Sequence, residues 1–151
     1  MWTKCTLAGG LLMAAVIPGI AGAALGEPET SVQADGVQLL ASSIKVTDHT
    51  AYRQHEIQLP SGTLVHEFTG PDGRIFAIAW KGPTIPNLRQ TMGRYFDTYV
   101  AAAKGKHTGH NRLQIQQDGL VVQSVGHMRA FSGRAYLSQA VPSGVDLGEL
   151  R

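Results

Sequence analysis

The chain has 151 residues, 13 of them basic and 11 acidic, with a formal charge of +2 and a charged fraction of 16%. That length supports one core and not two, and the charged fraction lies below the ~25% usual for soluble domains. The near balance of charge, without clustered Lys and Arg, argues against a nucleic-acid partner.

Lys4 opens a short positive segment, and Leu7 to Ile20 carries no charge. Pro18 breaks the apolar stretch, and Ala21-Gly22-Ala23 follows with the small residues a signal peptidase reads. The stretch is shorter than the ~20 residues of a spanning helix. A cleavable signal peptide is therefore predicted over residues 1–23, with a single domain over 24–151, periplasmic or secreted, and no stable membrane anchor after cleavage. Cys5, the single cysteine, precedes the apolar stretch, where lipidation does not use it. The mature domain then has no disulfide, no thiol nucleophile and no thiolate metal site.

Past the polar Glu27 to Thr30, Ser31 is placed to cap a short helix over Val32 to Ala41, with Val32, Leu39 and Leu40 on one side. Ser42 to Thr50 is polar and reads as a loop or an irregular edge strand. Ala51–Leu59, Thr63–Thr69 and Arg74–Lys81 are β-like runs separated by Pro60-Ser61-Gly62 and Pro71-Asp72-Gly73. Pro presets the first corner, Ser or Asp bonds back to the backbone, and Gly takes the positive φ of a bulged hairpin. Alternation in the third run puts Phe76, Ile78 and Trp80 on one face and Ile75, Ala77 and Ala79 on the other, as in a strand covered on both sides.

Pro83 and Pro86 stop the sheet. Leu88, Met92, Tyr95, Phe96, Tyr99, Val100 and Ala103 then recur at helical spacing, predicting one continuous amphipathic helix that ends at Lys104-Gly105-Lys106. After a polar loop, Leu113–Gln117 and Leu120–Phe131 flank the hairpin signal Asp118-Gly119. Arg134–Val141 is a further strand beyond a turn at Ser132-Gly133, and the tail from Pro142 reads as turn-like and frayed. The expected fold is α+β: an antiparallel sheet of about six strands, made of a three-stranded meander, an amphipathic helix on one face and three more strands, with a short N-terminal helix.

The segment EFTGPDGRIFAIAWKGPTIPNLRQTMGRYF resembles an uncharacterised family of exported proteobacterial proteins, domain-of-unknown-function family 2844. The matching positions are Glu67, Gly73, Phe76, Trp80, Gly82, Pro83, Pro86, Leu88, Gly93, Tyr95 and Phe96, with ALGEP near the mature start. The resemblance implies an exported location and brings no activity, cofactor or catalytic residue.

Chemical motifs are sparse. His107 and His110 have H-x-x-H spacing, but a zinc site needs three or four ligands and no third lies nearby, so no metal and no cofactor is expected. His66 and Glu67 fall on opposite faces of a strand. There is no G-x-S-x-G and no phosphate loop. A pair of carboxylates from the scattered acids stays open. The aromatic set is read mainly as core, with Trp80, Tyr95 and Tyr99 the candidate ligand-binding residues if a groove opens between helix and sheet. The expected function is an exported non-enzymatic module that binds an envelope protein or other envelope component. The alternative is a small-molecule or lipid carrier with an aromatic-lined groove.

Overall fold

A computed structural model describes residues 24–104 and 111–151. The leader, Cys5 and the His107/His110 pair lie outside the described residues. Seven strands form one antiparallel sheet: β1 (Ser43–Asp48), β2 (Arg53–Gln58), β3 (Leu64–Thr69), β4 (Ile75–Gly82), β5 (Arg112–Gln117), β6 (Leu120–His127) and β7 (Ala130–Leu137). Their order is β1-β2-β3-β4-β7-β6-β5, so two meanders meet along β4 and β7. The expected α+β architecture holds, with one strand more than foreseen. That strand is β1, which pairs with β2 in an unbroken register from Ser43↔Gln58 to Asp48↔Arg53. Its polar sequence suits an edge, where one side of the ladder stays open.

Helices cover one face. A 3-10 turn (Glu29–Ser31) leads into α1 (Val32–Gln38); α2 (Leu88–Met92), a 3-10 turn (Gly93–Tyr95) and α3 (Phe96–Ala103) follow β4. Three expectations about these helices need correction. Ser31 donates its hydroxyl back to the Pro28 carbonyl at 2.5 Å and does not cap α1. The helix ends at Gln38, and Leu40 takes a left-handed φ of 55° and faces solvent. The long amphipathic helix is not continuous, because Gly93 has φ 50° and ψ −124°, which breaks the helical ladder after Met92. A Cβ at Gly93 would lie 2.4 Å from the Cβ of Ala24, so the break also admits the N-terminal segment. Leu25 is fully buried there, and its N–H donates to the Thr91 carbonyl at 3.1 Å.

Two cores result. The larger, beneath the helices, gathers Leu25, Val32, Ile57, Val65, Ile78, Trp80, Met92, Ile115 and Val122, with Leu88, Tyr95, Phe96 and Tyr99 packed on it. The smaller lies on the opposite face and holds Phe68, Phe76, Ala77, Ala79 and Leu150. Phe76 is therefore not on the Trp80 face. Phe68 pairs with Ala77 while Thr69 pairs with Ile75, so Phe76 is the extra residue of a β-bulge. Beyond the bulge the parity reverses, which puts Ile75 with Ile78 and Trp80. The C-terminal segment is not frayed: Val141, Val145 and Leu147 pack on the smaller core, and Leu150 is 1% exposed. Burying these apolar side chains holds a segment that has no periodicity of its own.

The last hairpin also turns elsewhere than expected. Ser132 and Gly133 lie inside β7, and the chain reverses through Met128-Arg129, with Arg129 at φ 59°. Gly133 is a packing residue: a Cβ there would sit 2.3 Å from the Trp80 ring.

Candidate functional site

The helix-covered face carries a buried polar cluster. Glu67 on β3 stands directly opposite His55 on β2 in an antiparallel pair, so both side chains point the same way, toward α1. Asp35 in α1 meets them from above, held by Gln90 Nε2 donating to its Oδ1 at 3.3 Å. Asp35 and Glu67 are both 0% exposed. Desolvation pushes the Glu67 carboxyl well above its ordinary range, and the Asp35 carboxyl hydrogen-bonded to it pushes further in the same direction. Two carboxyls facing each other away from water resist being charged together, which is the cause of that direction. Burial pushes the His55 imidazole down, with Glu29 opposing. His55 Nε2 lies 3.0 Å from Glu29 Oε1, but poorly aligned for a hydrogen bond. The same Glu29 oxygen accepts from Arg53 Nη1 at 2.9 Å. Sequence reasoning left a carboxylate pair open but could not place it, because Asp35 and Glu67 meet only through the docking of α1 on the sheet. The position of Glu67 in the family motif was the available signal.

Trp80, Tyr95 and Tyr99 come together in the larger core. Trp80 is 2% exposed, with its ring over Gly133. Tyr95 and Tyr99 are partly buried against the same core, and burial raises the Tyr99 hydroxyl pKa. His66 points to the opposite face, where its ring lies 3.1 Å from Glu56 and contacts the Arg151 carbonyl.

Two surfaces are open to a partner. The first is the β1 edge. Gly36 of α1 lies directly on Ile44, where a Cβ would be 2.3 Å from its Cδ1. Val37 and Leu40, in the segment that leads from α1 into β1, are 76% and 75% exposed, and Val46 on β1 is 49% exposed. The second is a groove of about 430 Å³ on the opposite face, between the sheet and the C-terminal segment. Neither Asp35 nor Glu67 lines it.

Among the described residues no group of three or more His, Cys, Asp or Glu side chains is placed to hold a metal ion, and no helix is long and apolar enough to cross a membrane.

A family model described as "Protein of unknown function (DUF2844)" matches residues 21–150. The chain belongs to this family. The DUF2844 match spans both meanders, the bulged β4 and the C-terminal segment, so the resemblance read from the Glu67–Phe96 motif extends over the whole described domain. No curated protein and no solved structure matches the chain.

Proposed function

We propose that this DUF2844 protein is an exported, non-enzymatic module that binds another protein of the cell envelope by accepting a strand at β1. The observation that carries the reading is the edge itself. β1 is regular over six residues, has no proline or bulge, and is paired on one side only. Exposed edges of this kind are normally blunted, because they template pairing with another chain. Lys45 is the only basic residue on it, Val46 offers an apolar contact, and Val37 and Leu40 are exposed in the segment that leads into it. The other edge, β5, has α3 packed beside it. Support for export comes from the uncharged Leu7–Ile20 stretch and the Ala21-Gly22-Ala23 run, which set the mature start at Ala24 or Leu25.

A carrier with its ligand between helix and sheet fits less well, since Trp80 and Met92 fill that interface. Hydrogen exchange tests the proposal on a complex captured from the cell envelope. β1 amides should gain protection in the complex, and Val46→Lys should abolish capture while leaving Tm unchanged. A complex that forms equally well with Val46→Lys and leaves β1 exchange unaltered refutes strand addition. N-terminal sequencing of envelope-recovered protein should read from Ala24 or Leu25; a retained Met1 would refute cleavage.

A further inference from the structure

The face of the sheet away from the helices carries a second constellation, independent of the β1 edge. Register places Lys81, Ser132, Val125 and Arg112 in one row across β4, β7, β6 and β5. The next row on that face contains Ala79, Arg134 and Gln123. Lys81 and Arg134 are thus diagonal neighbours, a separation that long side chains span. The C-terminal segment walls one side, and together they enclose the groove of about 430 Å³, within the range of small-molecule sites.

The charged side chains that line it are all basic. Lys81, Arg134 and Arg151 contribute cations, Gln123 and Ser132 contribute neutral polar groups, and no carboxylate side chain lines it. Lys81 makes no ion pair among the described residues. Arg134 is held in place: its Nε donates to Gln123 Oε1 at 2.8 Å, and its Nη1 donates to the Leu147 carbonyl. Its Nη2 has no partner among the described residues, so one edge of a fixed guanidinium remains available for a planar acceptor. Arg151 is braced through Nε donating to the Gly148 carbonyl at 2.9 Å. Asp146 stands against Gly148 at the rim of the groove without lining it. Asp146 Oδ1 accepts from the Gly148 N–H at 2.7 Å, and Glu149 lies near Tyr52, whose hydroxyl is made harder to ionise first by burial and then by that carboxylate. Apolar surface from Val125 and Leu150 completes the wall.

We propose that this groove binds a small organic anion, a carboxylate or phosphate ester carrying a short apolar chain. Its acidic head would bridge Lys81 and Arg134, and its chain would lie toward Val125 and Leu150. Gathering like charges in a partly enclosed space is unfavourable unless an anion neutralises them. The preorganised guanidinium and the unpaired ammonium give that anion two directional contacts.

Titration of the isotopically labelled protein with hexanoate, hexyl phosphate and the uncharged hexanol tests this by amide chemical shifts. Both anions should shift Lys81, Gln123, Ser132 and Gly133 saturably, and hexanol should not. Lys81→Gln should weaken both anions on the order of tenfold, as expected for a hydrogen bond to a charged group, and Lys81→Arg should restore binding. Lys81 is an exposed side chain, so these variants leave the fold intact and the test does not depend on truncating Arg134, which also holds the C-terminal segment. Vesicles containing phosphatidylglycerol separate two sources of the same chemistry. Displacement of hexyl phosphate by them assigns the site to a lipid headgroup, and failure to displace assigns it to a soluble anion. Absence of saturable shifts with either anion, or binding that Lys81→Gln leaves unchanged, overturns the proposal.

Discussion

Replacing Glu67 by Gln should change how stability depends on pH, in a direction fixed by the buried acid pair. The Glu67 carboxyl holds its proton more tightly in the folded protein than at its ordinary value of 4.5, first through desolvation and then through Asp35. Above that ordinary value the unfolded chain releases a proton that the folded chain retains. Stability therefore falls as pH rises, from the unfolded value up to the raised folded one. One retained proton corresponds to about 1.4 kcal/mol per pH unit, and each kcal/mol moves Tm by roughly 2–8 °C, depending on domain size. His55 acts oppositely: burial lowers its affinity for protons, so below its ordinary 6.5 stability rises with pH. The difference between the two proteins removes the His55 contribution. Glu67→Gln keeps the shape and can donate from its amide to Asp35, but it does not titrate. Its stability relative to wild type should be near zero or slightly negative below pH 4.5, and should climb as pH rises. Thermal unfolding by circular dichroism in a pH series measures this. Parallel curves for the two proteins across the series would show that Glu67 titrates normally in the fold, and the buried-pair argument would fall.

Three further substitutions test the packing. Trp80→Ala removes a side chain that is 2% exposed and should cost about 3–5 kcal/mol; a folded mutant with unchanged Tm would move Trp80 out of the core. Gly133→Ala places a methyl where the Trp80 ring already lies, 2.3 Å away, and should destabilise by about 1–3 kcal/mol, read as a lowered urea midpoint at constant slope. Leu150→Ala should cost about 2–5 kcal/mol and speed hydrogen exchange around Phe68 and Phe76; an unaffected midpoint would mean that the C-terminal segment does not seal the smaller core.

Turns were legible wherever their chemistry was carried by the residues at the corner. Gly62, Gly73 and Gly119 all take the positive φ that their Pro-Ser-Gly, Pro-Asp-Gly and Asp-Gly contexts imply. The β6–β7 turn was not legible, because Met128-Arg129 has no turn signature, while Gly133 resembles one and instead makes room for an indole from the neighbouring strand. Alternation correctly identified β4 as covered on both faces, but the bulge at Phe76 depends on pairing with β3 and cannot be read from β4 alone. The helical stripe from Leu88 was recovered in position, yet its break at Gly93 follows from the passage of Ala24, which is distant in sequence. The same limit hid the groove: Lys81, Gln123 and Arg134 become neighbours only because β4 pairs with β7.

That seam has a kinetic consequence. Within each meander every strand pairs with its chain neighbour, so both halves can assemble from rapid local hairpins. Joining Ala77 to Tyr136 and Gly82 to Phe131 is the nonlocal event that closes the sheet. Contacts between distant segments are slow to form because loop closure must precede any gain from pairing. Until the halves dock, the inner edges of β4 and β7 are both unsatisfied and adhesive. The vulnerable interval for aggregation therefore falls before this docking step, and β4, with six consecutive buried residues from Ile75 to Trp80, is the segment most in need of protection during it.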